Sequence, residues 1–170
     1  MARITEMPKG ITPVWIHDVS NPVGLKWYNH RDDVKLLQYA LNQIMAKKKL
    51  SDRSARPTPG PMGPEYPALA PLEVDGVFGN KSCAALVAYQ RAIVCGGMCT
   101  LVDGMVDPVY KYIGGLGGDP IGARNMTIMT KVTQFTMFKL NNDILQLYGT
   151  MMSDEDLPQE VQVALRAQGR

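Results

Sequence analysis

The sequence predicts a mainly α domain, and three observations carry that reading. Val34, Leu37, Leu41, Ile44 and Met45 recur at helical spacing and form one apolar stripe. Ala85, Leu86 and Tyr89 share a helical face immediately after the tight turn Asp75-Gly76-Val77-Phe78-Gly79. Val161, Ala164 and Leu165 form a third apolar face near the C-terminus. An apolar content of 45% against 20% charged residues suits a globular chain that buries a core.

Residues 1–28 read as an N-terminal arm. Prolines at 8, 13 and 22 break helical periodicity. Val14-Trp15-Ile16-His17 reads either as a short strand or as part of an arm packed on the domain or on a partner. Trp15 and Trp27 lie here. Each is an anchor on the core or a contact residue, since tryptophan offers area and an N–H handle. Asn29 is a candidate cap for the first helix, and Asp32 and Asp33 suit the positive end of its dipole. Lys47, Lys48 and Lys49 follow at the other end.

Composition changes from Ser51 to Pro71, where six prolines and two glycines exclude helix or central strand. The stretch reads as a long surface loop, with Arg53 and Arg56 adding charge. Next comes the turn at Asp75. Asp-Gly favours a turn because the Asp side chain bonds nearby backbone and Gly accepts positive φ. Phe78 is placed to plug the core, and Asn80 or Ser82 to cap the second helix. Gly96 and Gly97 end that helix. Val102-Asp103-Gly104-Met105-Val106 then echoes Val74-Asp75-Gly76-Val77-Phe78, and Pro108 opens a short helix over 109–113. Residues 114–124 are a Gly-rich linker. Residues 125–170 form a helical extension, with Asn125 as a first cap, Gly149 as a stop and Ser153-Asp154-Glu155-Asp156 leading into the last helix.

These residues carry a resemblance to the peptidoglycan-binding domain family, the small three-helix module attached to many cell-wall hydrolases. Val34, Leu37-Gln38 and Leu41 resemble its first helix. Asp75-Gly76-Val77-Phe78-Gly79 with Ser82, Ala85-Leu86 and Tyr89-Gln90 resembles its central motif, and Asp103-Gly104-Met105-Val106 its second turn. Asp107 and Tyr110 depart from its usual glycine and threonine. The resemblance spans about Arg31 to Ile113. It implies a three-helix peptidoglycan-binding-like bundle over 29–113, carrying the Pro-rich insertion 51–71. It also implies peptidoglycan as ligand, framed by the exposed residues around the two turns and the start of the first helix.

Trp15, Trp27, Arg31, Asn80, Lys81, Arg53 and Arg56 are the candidate ligand or partner contacts. His17 and His30 have no neighbour at metal-ligand spacing, and Cys95 and Cys99 have no second pair, so no metal site, cofactor or catalysis is expected. A net charge of +2 gives no field for nucleic acid, and no apolar run is long enough to span a bilayer. The N-terminus has no apolar h-region, so the chain is expected to be made in the cytoplasm without a signal peptide. The expected setting is a phage virion or contractile injection particle, with other subunits met through the arm, the Pro-rich loop and the C-terminal helices. A purely structural assembly protein and an accessory to a wall hydrolase released at lysis are the alternatives.

Overall fold

The computed structural model describes residues 2–7, 15–51, 58–60, 63–65, 67–95, 102–109 and 135–167. They are helix-rich, as the sequence predicts. The elements in order are strands β1 (Arg3–Glu6) and β2 (Trp15–Asp18), helix α1 (Arg31–Lys47), strands β3 (Thr58–Gly60) and β4 (Gly63–Glu65), then helices α2 (Asn80–Cys95), α3 (Thr136–Tyr148) and α4 (Gln159–Arg166). A 3-10 turn, Asp154–Asp156, precedes α4.

The arm is built into the core. β1 and β2 pair antiparallel, with Ile4 opposite His17 and Thr5 opposite Ile16. Ala2, Ile16, Val19 and Val23 are fully buried. Alternation did not reveal this, because β2 also buries His17 and Asp18. Each has partners. Asp18 accepts hydrogen bonds from the Val19 and Val109 N–H groups and from the Thr5 hydroxyl. His17 lies 2.8 Å from Asp154 through Nε2. Buried Asn141 of α3 serves β2 as a neighbouring strand would. Its Oδ1 accepts from His17 N–H at 3.0 Å and its Nδ2 donates to His17 C=O at 2.9 Å.

Helix α1 buries Val34, Leu37, Leu41 and Ile44, as its stripe predicts, and packs most extensively on α3. Its start differs from expectation. His30 occupies the N-cap position with no side-chain cap bond. Asn29 instead closes on Gly24, its Oδ1 accepting from Gly24 N–H and its Nδ2 donating to Gly24 C=O, both at 2.9 Å. That closure satisfies both ends of the amide, whereas a cap uses only one. Helix α2 likewise starts without the expected cap. Its first bond runs from Cys83 N–H to Gly79 C=O at 2.9 Å, so Asn80 and Ser82 lie inside the helix and Gly79 before it. Gly149 does end α3, at φ +74° with its N–H on Leu145 C=O.

The Pro-rich stretch is not strand-free. β3 and β4 form a two-stranded hairpin with Pro59 opposite Pro64. A two-stranded ribbon has only edges, and proline's missing donor is tolerated at an edge. The stretch closes at its base. Leu69 N–H bonds Leu50 C=O at 2.9 Å, and Ser51 pairs with Ala68. Below that, the Asn42 amide accepts from Leu72 N–H at 2.7 Å and donates to Leu72 C=O at 2.8 Å. Arg53 and Arg56, residues 110–113 of the expected third helix, the linker 114–124 and residues 125–134 lie outside the described residues.

Candidate functional site

The polar residues among those that carry the resemblance meet at two clasps. In each, a buried glutamine of one helix grips an Asp-Gly turn that comes later in the chain. Gln38 of α1 accepts from Gly76 N–H through Oε1 at 3.0 Å. Its Nε2 donates to Asp75 Oδ1 at 2.9 Å, to Val77 C=O at 3.1 Å and to the Ser82 hydroxyl at 3.2 Å. Gln90 of α2 accepts from Gly104 N–H at 2.9 Å. Its Nε2 donates to Asp103 Oδ1 at 3.1 Å, to Met105 C=O at 2.9 Å and to the Thr136 hydroxyl at 3.3 Å. Each aspartate also accepts from the N–H two residues on, Val77 at 2.8 Å and Met105 at 2.9 Å.

The turns seat on their helices in the same register. Gly76 has φ +78°, and a Cβ there would overlap Arg31 Cγ, come within 2.8 Å of the Arg31 carbonyl and meet Lys35. Gly104 has φ +68°, and a Cβ there would meet Val87 at 3.2 Å and Cys83 Sγ at 3.3 Å. Arg31 and Lys35 precede Gln38 by seven and three residues, as Cys83 and Val87 precede Gln90. The echo of the two turns in sequence is therefore an echo of whole helix-plus-turn units. Only glycine serves at the two turns, because the conformation and the close approach coincide.

Electrostatics follow from these bonds. The Val77 N–H, and then the Gln38 amide, hold the Asp75 carboxyl below its ordinary value. Burial pushes the Cys83 thiol up. Burial, and then Asp143, push the Tyr89 hydroxyl up. Tyr89 donates to Asp143 at 3.2 Å, and Lys48 pairs with the same carboxylate at 3.2 Å, which ties α3 to α1 and α2.

Of the expected scaffold residues, Leu37, Gln38, Phe78, Ser82, Ala85, Tyr89, Gln90 and Gly104 are buried. Asp75, Gly76 and Gly79 are half-buried, and Asp103 is exposed. Arg31, Asn80 and Lys81 are exposed. Glu160 of α4 reaches Lys35 at 2.8 Å and Arg31 at 3.5 Å. Trp15 is half-buried, edge-on to His17 with ring centroids 5.3 Å apart. Trp27 is half exposed. The two tryptophans thus divide: one packs on the buried histidine of β2 and the other faces outward.

Periodicity did not reveal Asn42, Asn141 or the hub at Asp18. The available signal was a polar residue on an apolar helix face, as Asn141 sits between Met137 and Ile144. A polar residue so placed needs a buried partner. A shallow cleft lined by Tyr39, Gln43, Ile144, Tyr148, Met152 and Asp156 lies between α1 and the end of α3. Among the described residues, no group of three or more His, Cys, Asp or Glu is placed to hold a metal ion, and no helix is long and apolar enough to cross a membrane. No protein-family model matches the chain, and no curated protein or solved structure matches it at a significant level.

Proposed function

We propose that this chain is a non-catalytic peptidoglycan-binding module, held as a structural subunit of a phage tail or contractile injection particle. The observation that carries the reading is the pair of clasps. The glutamines and Asp-Gly turns that resemble the peptidoglycan-binding family pair into two matched units. In this reading residues 29–113 form the three-helix bundle, with the insertion 51–71 as an outgrowth. The clasps are scaffold, and the ligand meets the exposed groups around them: Trp27, Arg31, Asn80 and Lys81. The particle setting rests on a sequence feature, the long Pro-rich insertion.

Co-sedimentation of the purified chain with cell-wall sacculi at low salt tests the binding. Saturable retention is expected, and a protein left wholly in the supernatant sinks the reading. Co-purification with intact particles, detected by mass spectrometry, tests the setting, and a chain found only in the soluble fraction removes it.

A further inference from the structure

The loop between β2 and α1 holds an aromatic ledge. Leu25 is 56% exposed, Trp27 51% and Tyr28 83%. These side chains stand on backbone that is tied in place. Gly24 and Asn29 are joined by the two amide bonds of Asn29, and Trp27 N–H bonds Gly24 C=O at 3.2 Å. Val23 exchanges two 2.9 Å backbone bonds with Val106 of the second turn. A Cβ on Gly24 would meet the Gly104 carbonyl and Trp27 Cδ1, both at 3.3 Å, so the loop lies directly on that turn. His30 braces Tyr28 edge-on at 5.2 Å between ring centroids. A continuous chain of contacts thus runs from Gln90 through the Gly104 turn to the ledge.

We infer that Trp27 and Tyr28 form a stacking subsite for the sugar rings of the wall polymer, its glycan rather than its peptide; this rests on the wall-binding reading above. Sugar rings present apolar C–H faces, which stack on aromatic rings. A clamped loop offers those rings with little ordering left to lose on binding. Size argues against a protein occupant. Two partly exposed aromatic rings offer on the order of 300 Å², while a stable protein interface needs about 800 Å² from each partner. Lys26 lies within the same loop, while Arg31 at its end is already engaged by Glu160 of α4 at 3.5 Å.

The test uses the full chain, labelled with 15N and titrated with an oligosaccharide of β-1,4-linked N-acetylglucosamine. The Trp27 indole N–H resonance is assigned from its absence in Trp27→Phe. It is expected to shift saturably while that of Trp15 stays in place. The double variant Trp27→Ala/Tyr28→Ala is expected to stay folded, because neither side chain belongs to the buried core, and to lose sacculus retention by about tenfold or more. Retention by the folded double variant equal to the parent's overturns the ledge and leaves wall binding standing. A Trp27 shift without sacculus retention supports the ledge and removes the wall reading. A Trp27 shift that follows protein concentration rather than sugar overturns the inference in favour of a second copy of this chain.

Discussion

Replacing Gln38 by Met isolates what a clasp contributes. Methionine matches glutamine in length and fits an apolar helix face, so the cavity term is small. What is lost is hydrogen bonding. The Gly76 N–H loses its Oε1 acceptor, and Asp75, Val77 C=O and Ser82 lose the Nε2 donor. Asp75 keeps the Val77 N–H, so its share is partly retained. One turn N–H without an acceptor, together with a weakened carbonyl, costs about 2–4 kcal/mol. For a chain of this size that corresponds to roughly 5–15 °C in melting temperature. Equilibrium unfolding in urea, followed by far-UV circular dichroism, reads it directly. The midpoint falls while the slope against urea stays constant. Gln90→Met is expected to fall by a similar amount, because its partners are equivalent. A Gln38→Met protein within about 0.5 kcal/mol of the parent, the ordinary range for neutral surface substitutions, refutes the assignment of stability to the clasps. Unequal losses at the two sites refute their equivalence.

Gly76→Ala should cost more than Gly149→Ala by at least about 1–2 kcal/mol in the same urea assay. Both have positive φ, but only Gly76 faces a crowded backbone, while Gly149 faces open space. Asp75 has a folded pKa held below its ordinary value, so its contribution is present at neutral pH and is lost as pH falls through the folded value, below 3.8. Asp75→Asn keeps an acceptor for Val77 N–H; its urea midpoint should lie below the parent's at pH 7, and the gap should close as pH falls below the ordinary carboxylate range. Asn141→Leu strands the His17 N–H and C=O and should cost about 2–4 kcal/mol, with amide exchange accelerating first in β2. Tyr89→Phe removes one bond to Asp143 and should cost about 0.5–1.5 kcal/mol.

Helices and turns were legible because each had a local signal: the stripe from Val34 to Ile44, the Asp-Gly pairs, and Gly149 after Tyr148. What the glutamines do was not legible. Gln38 and Gln90 stood out only through resemblance, since propensity says nothing about which later turn a buried amide will grip. In the arm, the short strand at Trp15 was offered by the sequence, but its partners were not legible, for a related reason. Burial of His17 and Asp18 erases the alternation that marks a strand, and their partners Asp154, Asn141 and Val109 lie more than 90 residues away. Local rules missed the caps as well. Asn29 has the chemistry of a cap, but the neighbouring Gly24 offers it a donor and an acceptor together.

The closed base of the Pro-rich stretch gives it the form of a graft site. Leu50, Ser51, Ala68 and Leu69 join the two chain ends, and Asn42 pins Leu72 just below them. The helices meet the stretch at this neck. Doubling the length of a flexible loop adds only about 0.6 kcal/mol of closure cost. A hairpin, an affinity tag or a recognition peptide grafted between Ser51 and Ala68 would therefore enter and leave through a neck that is already tied, at a distance from the grip of Gln38 on Asp75.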